Sequence, residues 1–161
     1  MEEKYFLENW IWCNKVTNEM LNNIPKNLYF SKPFKNRFKS FVWEFACLLT
    51  TREMYINGFK NNNINENTKA TSNEEAEKFS KEQIIKELKK TNKLIIKIIQ
   101  NKEIKEIIFF GNKTSKLSCI SWLMQHEQLH FGKLMIYCAQ LNIKQSNSLK
   151  IMWGDSSFNK K

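Results

Sequence analysis

Apolar residues in this chain recur mainly three and four positions apart, the period of a helix rather than the alternation of a half-buried strand. Phe6, Trp10, Cys13, Thr17, Met20 and Ile24 mark one face of a first helix over about residues 5 to 24, closed by Pro25. Pro33 interrupts the stretch that follows, and an aromatic-rich second helix is predicted over about residues 38 to 58, with Gly58 as its stop. Residues 60 to 79 are polar and show no period, so they read as a long loop able to cover an open end and select a substrate. Ser80 with Gln83 forms a capping-box pattern opening a third helix, whose buried seam is Ile84, Leu88, Thr91, Ile95 and Ile98 and whose end lies near Asn101. Residues 103 to 111 fit either a frayed helical turn or a short extended piece, and Gly111 with Asn112 breaks the chain before Thr114 caps a last helix over about residues 115 to 141. A polar tail, 155 to 161, ends the sequence.

On a wheel of about 100° per residue, the last helix places Cys119, Leu123, His126, His130, Leu134 and Tyr137 in one stripe. Trp122, Leu129 and Ile136 form a second stripe, and Ile120, Met124, Phe131 and Met135 extend the apolar arc on the other side. A helix apolar over most of its girth packs against its own chain and against something else, most simply a second copy. The pattern therefore predicts an all-α fold: an antiparallel four-helix bundle, one domain over 1–161, forming a homodimer through Trp122, Leu129 and Ile136.

Composition narrows the classes. Apolar residues make up 42% of the 161, enough for one packed core, while four Gly and two Pro are too few for the turns of a sandwich or barrel. No apolar run reaches the roughly 18 residues of a membrane helix and the start of the chain is acidic, so no membrane contact and a cytoplasmic location are expected. Cys13, Cys47, Cys119 and Cys138 form no CxxC pair and sit in helical segments, as free thiols of a reducing compartment do. The net charge of +10 suggests nucleic acid, yet 24 of the 26 basic residues are Lys, and the excess gathers on Lys86, Lys89, Lys90, Lys93 and Lys97 of one helix. That pattern is a solvated face, and nucleic acid is not an expected partner.

His126 and His130, the two histidines of the chain, are four residues apart, so both rings leave one helix face and can meet one Zn²⁺ or Ni²⁺ ion. A third ligand has to come from another helix. The second helix carries Glu44, Cys47, Thr51 and Tyr55 as a polar stripe among apolar neighbours, which reads either as an inter-helix hydrogen-bond network or as the source of a thiolate or carboxylate ligand. The run from His126 to His130 also matches the H-E-x-x-H pattern of zinc proteases, in which the glutamate is the general base. The third histidine and substrate-binding sheet of those enzymes are not evident, and two histidines are too few for a ferritin-like di-iron site.

HEQLHFGKLMIYCAQLNI followed by SLKIMWG resembles the last helix and tail of the DinB-like (DinB/YfiT) superfamily, and FACLLTTREMYINGF resembles its second helix, so the likeness runs from about residue 38 to 154. The resemblance implies a four-helix bundle, often homodimeric, with a metal held by one histidine of helix 2 and two of helix 4, and in some members thiol-cofactor transferase or isomerase activity. By position, His126 and His130 match the helix-4 ligands, and Cys47 falls where the helix-2 histidine stands. Two readings follow. The first is a metal-dependent transferase or hydrolase with Cys47, His126 and His130, or Glu44 in place of Cys47, around Zn²⁺ or Ni²⁺, Glu127 as base, and water or a low-molecular-weight thiol at the open position. The second is a non-catalytic dimer or partner-binding bundle with a degenerate site.

Overall fold

The computed structural model describes residues 2–154, and the expected polar tail lies outside them. The chain runs α1 (Glu2–Asn23), a 3-10 turn (Lys26–Leu28), α2 (Phe41–Lys60), β1 (Asn63–Ile64), α3 (Asn73–Ala76), α4 (Lys81–Gln100), β2 (Glu106–Phe109), β3 (Asn112–Ser115), α5 (Lys116–Gln140) and α6 (Asn147–Trp153). It is mostly helical, with one three-stranded sheet. Serine opens most of the helices: the hydroxyls of Ser40, Ser72, Ser80, Ser115 and Ser146 each accept from a backbone N–H of the first turn, which would otherwise have no partner. At Ser80 the Gln83 side chain completes the capping box. The cap of α5 is Ser115, one residue later than expected, because Thr114 is taken into β3.

α1, α2, α4 and α5 enclose one core. Trp10, Val16 and Leu21 meet Phe45, Leu48 and Leu49, Ile84, Leu88 and Ile95, and Ile120, Leu123 and Leu134, each large side chain removed from water contributing about 1.5–3 kcal/mol. The seam of α4 closes with Ile99, with Ile98 turned partly outward, since a 3.6-residue period favours the four-residue step after Ile95.

Cross-helix contacts fix the directions of the helices. Glu44 meets His130 and Tyr137 while Thr51 meets His126, so α2 and α5 run antiparallel. Trp10 meets Asn92 while Lys81 reaches the carbonyls of Asn22 and Ile24, so α1 and α4 do too. Glu3 pairs with Lys116 and Thr17 with Glu127, which sets α1 and α5 in the same direction, and leaves α2 and α4 also sharing one. The expectation of helices alternating in direction changes accordingly: between α2 and α4 the chain must travel back the full length of a helix. The polar stretch 60–79 is that return. It climbs beside α2, with Asn57 donating to the Lys69 carbonyl, Thr71 N–H donating to Glu53 and Thr50 donating to Asn73. Those three α2 residues lie on a different face from Cys47 and Thr51.

The ambiguous 103–111 segment is extended. β2 and β3 form a hairpin whose two-residue turn, Phe110 and Gly111, has positive φ at both positions, the backbone that matches the twist of paired strands. β1 adds in parallel beside β2, and its Ile64 lies directly against Gly58, where any side chain would collide. Among the described residues no helix is long and apolar enough to cross a membrane.

Candidate metal centre

Midway along α2 and α5, Cys47, His126 and His130 bring three donor atoms together, all within 4.8 Å of one another. The Cys47 Sγ lies 3.7 Å from His126 Nε2, and the two Nε2 atoms are 3.2 Å apart. Thr51 Oγ1 stands 3.5 Å from the same His126 nitrogen. The helices explain the convergence: His126 and His130 are one turn apart on α5, and Cys47 and Thr51 one turn apart on α2.

Glu44 sits behind this group, fully buried, and is not among the converging donors. Its Oε2 is 2.6 Å from His130 Nδ1, its Oε1 accepts from the Tyr137 hydroxyl at 2.8 Å, and Lys133 Nζ is 3.6 Å away. A carboxylate on Nδ1 holds that proton there and leaves the lone pair on Nε2, which points at Cys47 and His126. Burial pushes the Glu44 carboxyl up, but His130, Tyr137 and Lys133 outweigh it and hold it below the ordinary carboxylate range. Burial pulls the His130 ring down, and Cys47 and Glu44 together raise it above its usual value. For Cys47 burial again opposes the charge, and the two imidazoles overcome it, bringing the thiol down to about 6. The remaining thiols are ordinary buried groups: burial pushes Cys13 and Cys119 up to about 12 and Cys138 up to about 11.

Two of the three separations in this donor set match those around a tetrahedral ion, and all three atoms lie within 4.8 Å of one another. With His nitrogens at about 2.0–2.1 Å and a Cys sulfur at about 2.3 Å from zinc, tetrahedral neighbours stand about 3.3 Å apart for two nitrogens and about 3.6 Å for nitrogen and sulfur. The observed separations are 3.2 Å and 3.7 Å. His126 Nδ1 is also buried and has no hydrogen-bond partner among the described residues, so its tautomer is not fixed from behind as that of His130 is.

Glu127 is placed elsewhere. One residue beyond His126 the helix has turned by about 100°, and its carboxylate enters the core instead of the metal group. Oε1 accepts from Arg52 Nε at 2.7 Å, and Oε2 from Arg52 Nη2 at 2.8 Å and from the Thr17 hydroxyl at 2.7 Å. Arg52 and Glu127 are both fully buried, and the guanidinium also reaches Asn14 and lies 4.9 Å from the centre of the Trp10 ring. All these contacts tie α1, α2 and α5 together. This pair was missed at sequence level, although one of only two arginines, set in an apolar helix, must find a carboxylate. Tyr55, the last member of the α2 polar stripe, leaves the group and packs against Phe109. Trp122, Leu129 and Ile136 are exposed along α5, and Trp122 also packs on Phe109, tilted by 50° with ring centres 4.8 Å apart.

The fold and the site define a class: a mostly helical protein whose second and last long helices bring together a Cys, His, His group that could hold a metal ion. The sequence matches the DinB family over residues 1–145, and the chain belongs to that family. No curated protein matches it.

Proposed function

We propose that the protein is a metal-dependent transferase or hydrolase that holds Zn²⁺ or Ni²⁺ through Cys47, His126 and His130. One observation supports this above the others: three soft and borderline donors converge within 4.8 Å, two of their separations at tetrahedral spacing, and one of them is oriented from behind by Glu44. Bound there, the ion would lower the pKa of a water or a low-molecular-weight thiol at its open position and make it a nucleophile at neutral pH. The chain's own residues have distinct tasks. Glu44 keeps His130 in the tautomer that ligates, Tyr137 keeps Glu44 in place, and Thr51 offers a hydroxyl on the edge of the group. Glu127 has both oxygens committed to Arg52 and Thr17, so in this reading it stabilises the fold and is not the base.

In the same reading the four long helices form a bundle that pairs in the cytoplasm through Trp122, Leu129 and Ile136. The exposure of these three apolar side chains on one helix also favours a second use, partner contact by a bundle without activity. Elemental analysis of protein purified without a histidine tag, with turnover of thiol cofactors plus electrophiles and of simple esters and amides, tests the proposal. One equivalent of metal and a turnover abolished by chelation are expected; metal-free protein that gains no activity on loading contradicts it.

A further inference from the structure

Beside His130 the structure builds a cationic rim that metal binding does not require. Trp43, one turn before Cys47 on α2, has its ring centre 6.3 Å from that of His130. Two ammonium groups stand over the Trp43 ring: Lys133 at 5.6 Å, from the turn after His130 on α5, and Lys39 at 5.9 Å, from the connection leading into α2. Lys133 is also drawn by the Glu44 carboxylate, whereas Lys39 pairs with no carboxylate among the described residues.

Both lysines are positioned by the groups that hold His130. Lys133 lies 3.6 Å from Glu44 Oε2. Lys39 donates its backbone N–H to the Tyr137 hydroxyl at 3.1 Å, and that hydroxyl in turn donates to Glu44. Just before it, Phe38 has φ of 60°, a conformation unusual for a bulky residue, and its ring packs on Tyr137 and Phe34. The connection is thus fastened over this end of the site with Lys39 beside it. Glu44 carries a single negative charge and lies beside Lys133, so it cannot neutralise both ammonium groups.

We infer that Lys39, Lys133 and the Trp43 face form a subsite for the carboxylate of a small substrate whose metal-binding atom sits at Cys47, His126 and His130. The inference rests on the metal-centre reading above and adds the chemical class: a short-chain acid carrying its reactive thiol or oxygen a few atoms from the carboxylate. Two ammonium groups would take the carboxylate, and the indole would cover the intervening carbons.

Zinc content is measured first, on wild type and on Lys39→Gln/Lys133→Gln, so that loss of the metal is seen separately from loss of the subsite. The zinc-loaded chain is then titrated with 3-mercaptopropionate and with its neutral amide by calorimetry. Wild type is expected to bind the acid at least tenfold more tightly than the amide, a preference that weakens with salt and falls towards one in the double variant. Lys39→Gln alone, an exposed change that keeps the backbone bond to Tyr137, should lower the preference part of the way. Equal affinity for acid and amide in wild type, or an unchanged preference in the double variant, overturns the subsite. If wild type holds no zinc the metal-centre reading fails, and the subsite is read on the metal-free chain with propionate against propionamide, where the absence of any preference overturns it as well.

Discussion

Glu44 and Glu127 are both fully buried carboxylates, one on α2 and one on α5, and each reaches across to the other helix. Glu44 faces an imidazole whose far nitrogen points into a group of donors. Glu127 faces a guanidinium whose other bonds, to Asn14, Thr17 and the Leu88 carbonyl, also stay within the fold. Burial is the same for both, so burial alone does not tell a functional carboxylate from a structural one. What separates them is whether the partner has a second, unspent valence. His130 keeps a lone pair after binding Glu44; Arg52 is only a donor.

The comparison breaks first at the structural end. Arg52→Leu leaves Glu127 charged and unpaired in the core, and denaturant unfolding should show a loss of about 3–5 kcal/mol. A loss under about 1 kcal/mol would mean that the pair is not what joins these helices. Next comes the donor group itself. Cys47→Ala should lower zinc affinity, read by competition with a chelating dye, by more than the roughly 10–100-fold typical of a supporting residue. Retention of wild-type affinity would exclude the thiolate as a ligand.

A pH measurement sharpens the functional end. In metal-free protein Cys47 should be alkylated with a midpoint near its lowered value of about 6, while the other three thiols stay silent at neutral pH. The folded value lies below the ordinary 9.0, so the stability contributed by the thiolate is complete above about pH 9 and is lost as pH falls towards 6. His126→Ala removes one cause of the shift and should move the alkylation midpoint upward; an unmoved midpoint would detach the thiol from the histidines. The smallest effect concerns the outer face of α5. Leu129→Glu should turn a dimer into a monomer by light scattering with little change in unfolding, and a wild-type monomer at micromolar concentration would remove the dimer reading.

Much of this was legible in the sequence where period and chemistry agreed. The α4 seam and its capping box follow from local spacing, and so does the pairing of His126 with His130 on one face. Cys47 was reachable as a polar position in an apolar helix. Three features were not, each because it depends on what another helix does. The roles of Glu44 and Glu127 depend on which residue stands opposite, and H-E-x-x-H spacing reads the same whether the glutamate turns toward the histidines or, as here, toward Arg52. The direction of α4 depends on the path of 60–79, which has no period of its own. The hairpin at 106–115 is only four residues per strand, too short for alternation to be distinguished from a helical turn.

The contrast between the two carboxylates is tested most directly by measuring zinc affinity and unfolding free energy side by side on Glu44→Gln and Glu127→Gln. Glu44→Gln is expected to weaken zinc binding by about 10–100-fold with a modest loss of stability, and Glu127→Gln to cost several times more stability while binding zinc close to wild type in the folded protein. If Glu127→Gln were the variant that lost the metal, or Glu44→Gln bound zinc unchanged, the division between a carboxylate that serves the site and one that serves the fold would be wrong.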